Sequence, residues 1–280
     1  MKEYRLNRMF NPASGRLLDV AIDHGIFGEP SFLTGLEDPV AAINTLVNAN
    51  PDVIQLTPGM APILQSIPNR NKPALLMRTD VANVYGNPLD SHLFSVHAED
   101  AIERAVRLDA ACVVANLLQV PGHPELREQS IRTILDLRTA ADRYGMPIMI
   151  EPLVMQDNTK NGGYMVDGDA DKIVTLVRLA VELGADLVKA DPTTDPQDYY
   201  RVIQTAGNIP VLVRGGGKTT DLELLTRTAE VLNQGARGIV YGRNIVQHTD
   251  PVGITRALMT VVHDGVSAED AYNSLAAVAA

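Results

Sequence analysis

The stretch 172–190, KIVTLVRLAVELGADLVKA, carries the pattern that decides the fold. Residues 172–184 place apolar side chains three and four positions apart, as on the buried face of an amphipathic helix. A glycine ends this pattern, and residues 185–190 then form a short apolar run typical of a buried strand. The stretch therefore predicts a helix followed directly by a buried strand, which is the repeating unit of a parallel α/β sheet.

Seven further apolar runs occur along the chain, separated by helical patterns such as 221–234. Strands that alternate with helices pair in parallel, because parallel neighbours need a long crossover connection. Eight such units predict an α/β protein with a closed (β/α)8 or TIM barrel. An open doubly wound sheet is disfavoured because no G-x-G-x-x-G follows the first run. The predicted strands are 17–23, 52–57, 73–78, 111–117, 147–152, 185–190, 209–214 and 237–242.

The chain is predicted to form one domain over 1–280. Its 280 residues, of which 45% are hydrophobic, are enough for a full core, and no linker rich in Pro, Gly or Ser divides them. Helical patterns at about 252–262 and 268–278 follow the last strand. We expect both helices to pack outside the barrel.

Charge and apolar content limit the partners. A formal net charge of -10 disfavours binding to nucleic acid and to anionic membranes. The N-terminus lacks an apolar signal core, and no run approaches the roughly 20 apolar residues that span a bilayer. A cytoplasmic location without membrane contact is therefore expected. Cys112 lies in an apolar run and is predicted to be a buried thiol rather than a nucleophile.

Polar residues end most of the predicted strands. In a barrel of this kind the C-terminal strand ends meet at one rim, where the active site lies. Convergence of these residues predicts a charged pocket. The strand ends read Asp23-His24-Gly25, Arg78-Thr79-Asp80, Glu151-Pro152, Lys189-Ala190-Asp191, Arg214-Gly215-Gly216-Gly217-Lys218 and Tyr241-Gly242-Arg243-Asn244.

Lys189 lies on an apolar strand, where a solvated ammonium has no obvious place, so an inward-facing amine is predicted. Desolvation and nearby cations favour the neutral form of an amine, and the neutral form attacks carbonyl carbons. The alternative is a structural lysine paired with Asp191 or Glu151. Residue type and strand position leave both interpretations open.

Two glycine turns follow the last two strands. Gly215, Gly216 and Gly217 lead into a helix with Thr220 as its predicted N-cap, and Gly242 precedes Arg243. Free backbone amides and helix N-termini bind anions, and loops after strands seven and eight of barrels commonly bind phosphate. The pair of turns therefore predicts a phosphate site, with Arg214 as a further basic neighbour, although each turn alone also fits an ordinary tight turn.

Acid/base groups are available in Asp23, Glu151 and His24. Burial beside a neutral lysine raises the pKa of a carboxyl group towards a catalytically useful range. Either carboxylate can equally be an ion-pair partner of Lys189 or Arg78, and a histidine after a strand is more often structural. The other histidines show no metal-binding spacing, so neither a metal nor another cofactor is expected.

Four motifs, in this order and spacing, resemble the class I aldolases of the DhnA/DeoC superfamily. This superfamily includes archaeal-type fructose-bisphosphate aldolase and autoinducer-2 phosphate thiolase. The opening RLNRMFNPASGR at 5–16 and LLMRT at 75–79 are most similar to the thiolase branch. The four motifs are DHG at 23–25, GADLVK at 184–189, RGGGKT at 214–219 and YGRNIVQ at 241–247.

The resemblance implies a (β/α)8 enzyme in which Lys189 forms a Schiff base with a small phosphorylated ketose or keto compound. It also implies a homo-oligomer, with a ring of subunits as one possibility. Thiolase-type acyl transfer on a phosphorylated diketone and a non-catalytic sugar-phosphate-binding barrel are the alternatives. By the same resemblance Asp23 is the carboxylate near the reacting centre, and the phosphate lies at Gly215, Gly216, Gly242 and Arg243.

The segment after strand five departs from the family pattern. Where the fructose-bisphosphate aldolases carry a catalytic tyrosine, this chain reads EPLVMQ at 151–156. Glu151, Tyr164 and His24 are therefore candidates for the proton transfers. Arg78 is expected to reach from strand three towards a substrate oxygen or carboxylate.

Overall fold

All eight predicted apolar runs form strands of one closed parallel barrel, which confirms the (β/α)8 fold. The computed structural model describes residues 1–86, 88–159 and 163–279, so the remaining positions of the predicted 1–280 domain lie outside the described residues. The barrel strands are β1 (Leu17–Ala21), β2 (Val53–Leu56), β3 (Ala74–Arg78), β4 (Cys112–Gln119), β5 (Ile148–Asp157), β6 (Leu187–Ala190), β7 (Val211–Arg214) and β8 (Gly238–Tyr241).

β1 pairs with β2 on one side and with β8 on the other, and the pairing continues from both until the barrel closes. Around the barrel the order is β4, β3, β2, β1, β8, β7, β6 and β5, and a pairing of β4 with β5 joins the ends. The β4–β5 register runs from Val113 opposite Ile148 to Gln119 opposite Val154. This pair is longer than its neighbours because β4 runs to Gln119. Beyond Val154, β5 continues to Asp157 and pairs antiparallel with the short strand Tyr164–Val166.

Helices cover the outside of the barrel. The stretch quoted first becomes α6, which is capped by Asp169 and buries a stripe that includes Ile173, Leu176 and Val177. The predicted N-cap Thr220 starts α8 in a capping box with Glu223. The helices are α1 (Lys2–Leu6), α2 (Pro39–Ala49), α3 (Ala61–Ser66), α4 (Ala101–Arg107), α5 (Pro124–Tyr144), α6 (Ala170–Glu182), α7 (Tyr199–Ala206), α8 (Asp221–Asn233), α9 (Arg243–Val246), α10 (Pro251–Met259) and α11 (Ala268–Ala279).

Both C-terminal helices lie in the outer layer, α10 against α2 and α11 against α8. The predicted helix 252–262 differs in its end, since α10 stops at Met259 and continues as a π-helical turn over Thr260–Asp264. Gly265, in the left-handed conformation, ends this turn. In the part of the chain that the structure describes, no helix is both long and apolar enough to cross a membrane.

Alternating residues of the barrel strands point inward and form a closely packed apolar interior. Cys112 is part of it, fully buried, and burial raises the pKa of its thiol. The thiol therefore stays protonated at neutral pH, as the sequence predicts. Other members of this interior are Met9, Leu17, Ala21, Val53, Leu76, Val114, Met149, Leu187, Leu212 and Val240.

Candidate active site

Lys189 points into the barrel near its C-terminal end and is 3% exposed. Its Nζ lies 3.0 Å from Oε1 of Glu151 and donates to Oε1 of Gln55 at 3.3 Å. Of the two ion-pair partners that the sequence offers, Glu151 is therefore the one in contact, and Asp191 is bonded elsewhere. An amine held by one carboxylate and one neutral amide has a proton acceptor at hand.

Arg78 holds the carboxylates around this amine. Its Nε donates to Asp23 at 2.7 Å, its Nη1 donates to Asp80 at 3.3 Å and to Asn116 at 3.1 Å, and its Nη2 donates to Glu151 at 2.5 Å. Arg78 is 2% exposed, and each of its three guanidinium nitrogens has a protein acceptor. The side chain fixes the orientation of Asp23 and Glu151 from below.

The charges of the site keep both carboxylates ionised. Burial alone would raise their pKa values, but the charges of Arg78 and Lys189 hold the pKa of Asp23 well below its usual range. The same two cations, with Arg214, lower the pKa of Glu151 to about 2 against the effect of burial. Nε2 of Gln55 donates at 2.6 Å to Oδ2 of Asp23, the same oxygen that accepts from Arg78, so this oxygen is held by two donors.

A second buried ion pair lies beside the first. Nε of Arg214 donates to Oδ1 of Asp191 at 2.6 Å, and the other carboxylate oxygen accepts from the backbone N–H of Val154 at 3.1 Å. Nε of Arg214 also lies 4.0 Å from Oε1 of Glu151. Among the described residues, Nη2 of Arg214 is buried and has no hydrogen-bond partner. The Arg214 residue lines the cavity, and this donor is unused by the described residues.

His24 contacts the turn after β8. Its ring stands edge-on to Phe32, with 6.0 Å between the centroids, and a Cβ at Gly242 would lie 2.3 Å from its Cε1. Glycine is therefore required at 242 for His24 to fit. Burial, opposed by the Asp23 charge, lowers the pKa of His24 to about 4, so the ring is neutral at pH 7. Its Nδ1 is buried without a partner among residues 1–86, 88–159 and 163–279.

The two glycine turns are fastened to each other. Oδ1 of Asn244 accepts from the Thr219 backbone N–H at 3.1 Å, and its Nδ2 donates to the Gly217 carbonyl at 3.2 Å. The Arg243 guanidinium lies 4.9 Å from the centre of the Phe32 ring and donates to the Gly216 carbonyl at 3.4 Å. Burial lowers the pKa of Arg243 without removing its charge at neutral pH. The turns thus form a rigid rim with one basic side chain over it.

One cavity of about 360 Å³ brings the predicted site residues together above β1, β3, β5, β6, β7 and β8. Tyr164 also lines it at the rim, where its hydroxyl donates to the Pro121 carbonyl at 3.2 Å. In the described ranges, no group of three or more His, Cys, Asp or Glu residues is arranged to hold a metal. The predicted residues in the cavity wall are Asp23, His24, Arg78, Glu151, Lys189, Arg214, Gly215, Gly216, Gly217, Gly242 and Arg243.

Sequence reasoning missed two kinds of residue. Gln55 and Asn116 are single polar side chains inside apolar strands, and this pattern is a usable signal for an inward-facing polar group. Phe32 contacts the His24 ring and the Arg243 guanidinium, and Phe27, Phe32 and Tyr85 pack edge-on against one another. They come from separate loops after β1 and β3, so no local pattern announces their meeting.

Related chains agree with this geometry. A family model described as DeoC/LacD family aldolase matches residues 17–248. An uncharacterized aldolase of Saccharolobus solfataricus is 33% identical over 277 residues, which cover 98% of this chain and 98% of its own. A 3-hydroxy-5-phosphonooxypentane-2,4-dione thiolase of Klebsiella pneumoniae is 33% identical over 269 residues, which cover 96% of this chain and 83% of its own.

Solved structures agree as well. An archaeal fructose 1,6-bisphosphate aldolase superposes with a TM-score of 0.77 at 25% identity, covering 95% of this chain and 100% of that one. A Schiff-base-forming fructose-1,6-bisphosphate aldolase superposes with a TM-score of 0.76 at 26% identity, covering 94% and 100%. The resemblance seen in the motifs is thereby confirmed. From β1 to the turn after β8, this chain belongs to the DeoC/LacD family of aldolases.

Proposed function

We propose that the chain is a class I aldolase in which Lys189 forms a Schiff base with the carbonyl carbon of a small phosphorylated ketose or keto compound. The observation that carries this proposal is the buried Lys189–Glu151 pair at the floor of the cavity, 3.0 Å apart, with the glycine turns on the wall beside it. The amine is positioned to react, and an anion has a place to bind.

The first chemical step is attack of the neutral amine. Glu151 takes one proton from the Nζ ammonium, which also removes the charge that lowers the Glu151 pKa most. The neutral amine adds to the carbonyl carbon, and a second N–H proton passes to the oxygen to give a carbinolamine. The proton on Glu151 then joins the hydroxyl group, which leaves as water. The resulting cationic imine withdraws electrons, so that the adjacent C–C bond breaks and leaves an enamine. Glu151, on the Lys189 side of the cavity, is the nearest proton acceptor to Nζ that the described residues provide.

Asp23 is suited to a second role. Arg78 and Gln55 hold it as a fixed carboxylate at neutral pH. A fixed carboxylate can accept the proton of a substrate hydroxyl as the C–C bond breaks. The phosphate is proposed to bind the backbone amides of the glycine turns, with Arg243 as its counter-charge. A phosphate held at the glycine turns orients the substrate, so that its carbonyl carbon faces Lys189.

The test is covalent trapping. Sodium borohydride is added with dihydroxyacetone phosphate, and then with other ketose phosphates, before the intact mass is measured. The parent is expected to gain one reduced adduct, and Lys189→Met is expected to gain none and to lose activity by about 10⁴-fold or more. The control Lys172→Met, which removes an exposed ammonium on α6, keeps the adduct. If the parent forms an adduct with none of these compounds, the Schiff-base mechanism is overturned.

A second candidate is acyl transfer on a phosphorylated diketone. The unpartnered Nη2 of Arg214, beside the Lys189–Glu151 pair, favours it because it can donate to a second carbonyl oxygen close to the one that reacts. The thiolase relative points the same way. Incubation of a phosphorylated 2,4-diketone with an acceptor thiol such as coenzyme A tests this candidate: a thioester product supports acyl transfer to the thiol, and absence of a thioester contradicts it.

A homo-oligomer and a cytoplasmic location stay predictions. Val81 and Val96 are exposed opposite each other on the short antiparallel strands Asp80–Ala82 and Ser95–His97, and such a pair suits a contact between subunits. Light scattering after gel filtration measures the assembly directly. A monomer at all protein concentrations contradicts the first prediction.

A further inference from the structure

Asp19 lies inside the barrel, one layer below the cavity. It belongs to β1, in which Leu17 and Ala21 face the barrel interior and Leu18 and Val20 pack on the outside. Alternate residues of a strand share a face, so Asp19 points inward with Leu17 and Ala21. Ala21 lines the floor of the cavity, which places Asp19 beneath that floor.

The Asp19 side chain is enclosed and unpaired. It is 0% exposed, and neither carboxylate oxygen has a hydrogen-bond partner in the part of the chain that the structure describes. Its neighbours across the sheet are Val53 and Val240, both apolar. An ionised carboxylate in such a place loses its hydration without compensation. Burial accordingly raises the pKa of Asp19 to about 8, so the group is a neutral acid at pH 7.

Four charged side chains shift the ionisation of Asp19. Three lie on other strands, and the fourth follows β1 itself. Lys189 on β6 acts most strongly and favours the anion, Asp23 and Glu151 disfavour it, and Arg78 favours it more weakly than Lys189 does. The strongest electrostatic partner of Asp19 is therefore the amine that reacts.

Before the proton transfer, the other groups hold one charge state between pH 6 and 9. Asp23 and Glu151 have lowered pKa values and stay ionised, and the pKa of Arg78 is raised. The buried Cys112 thiol, which also feels the Asp19 charge, stays protonated. If a pH-dependent change in the rate of imine formation disappears in Asp19→Asn, that change therefore comes from the ionisation of Asp19.

We propose that Asp19, enclosed and unpaired beneath the cavity floor, is a positioning residue for the imine step that acts through Lys189. The proposal rests on the Schiff-base function. With Asp19 neutral, Glu151 is the carboxylate that holds the ammonium, and the proton passes from Nζ to Glu151 before attack. With Asp19 ionised, a second negative charge below Nζ holds the proton on nitrogen, and an ammonium does not attack a carbonyl carbon.

The experiment measures the rate of reductive trapping with dihydroxyacetone phosphate and sodium cyanoborohydride from pH 6 to 9.5. The parent rate is expected to stop rising above about pH 8, as Asp19 ionises. Asp19→Asn keeps the shape of the neutral acid and cannot ionise. Its rate is expected to match the parent at pH 6.5 and to exceed it by about tenfold at pH 9. Asp109→Asn, the same change on the surface, follows the parent.

Identical pH profiles for the parent and Asp19→Asn overturn this proposal while the trapped adduct leaves the Schiff-base function standing. Absence of any adduct in the parent overturns the proposed function, and this inference with it. The two failures are therefore distinguishable.

A second measurement needs no active variant. In protein labelled with ¹³C at the aspartate carboxyl carbons, the Asp19 resonance is expected to titrate near pH 8. Because Lys189 favours the Asp19 anion, Lys189→Met moves this titration to higher pH, as reciprocity requires. A titration that Lys189→Met leaves unmoved overturns the coupling.

Discussion

At the C-terminal end of the barrel Lys189 and Glu151 face a cavity, whereas at the N-terminal end a serine, a histidine and an aspartate bond to one another as a structural clamp. Oγ of Ser14 lies 2.7 Å from Nδ1 of His263, and Nε2 of His263 lies 2.9 Å from Oδ2 of Asp52. The same Asp52 oxygen accepts from the Leu18 backbone N–H at 2.7 Å. The clamp joins the chain before β1, the start of β2 and the turn after α10.

The comparison teaches that residue types alone do not make an active site. Serine, histidine and aspartate form the catalytic triad of many hydrolases. In the clamp, however, their polar atoms bond to one another and to backbone groups, including the Arg16 N–H. In the described part of the chain, the C-terminal end of the barrel keeps polar atoms of His24 and Arg214 without hydrogen-bond partners beside the cavity. Changes at the C-terminal end are therefore expected to alter chemistry, and changes in the clamp to alter stability.

Among the three substitutions that test this comparison, Glu151→Gln is expected to give the largest effect. The amide keeps an acceptor for Arg78 but cannot take the Lys189 proton, so the trapping rate with dihydroxyacetone phosphate falls by about 10² to 10³-fold. Glu182→Gln, which changes an exposed ion pair on α6, serves as the control and keeps the parent rate. A trapping rate in Glu151→Gln equal to that of the parent would remove Glu151 from the mechanism.

His263→Leu tests the other end. It breaks both clamp bonds and leaves a buried Asp52 oxygen with the Leu18 N–H as its remaining partner, so the free energy of unfolding is expected to fall by about 1–3 kcal/mol. Urea denaturation measures this loss, and His92→Leu at an exposed position is the control. The trapping rate below the unfolding transition is expected to stay at the parent value. A large loss of rate in the folded variant contradicts the division between the two ends.

Arg243→Ala is expected to give the smallest effect. Loss of the counter-charge raises KM for dihydroxyacetone phosphate about tenfold, or about 1.4 kcal/mol, with a smaller change in kcat. Dihydroxyacetone without the phosphate reacts equally with the variant and the parent. Equal losses for both compounds would show that Arg243 supports the fold of the turns rather than the phosphate.

The barrel and most of its rim follow from the sequence, because the apolar periodicity locates each strand and polar strand ends stand out against it. The positions of Lys189, Glu151 and Asp23 at the cavity follow in this way, and their catalytic roles stay predictions. The extension of β5 to Asp157 was missed, since it depends on pairing with Tyr164–Val166 after a loop. The contact of Gln55 with Lys189 joins residues 134 positions apart on opposite sides of the barrel, and no local pattern specifies it.

Arg78 gives the site an evolutionary constraint. Its guanidinium serves three carboxylates and one amide at once, so losing it leaves like charges facing one another inside the protein. Removing a single carboxylate is milder, because the other acceptors remain. Descendants of this sequence that lack the arginine are therefore expected to have lost one or more of these carboxylates first. Substitution of the carboxylates is thus expected to precede substitution of Arg78.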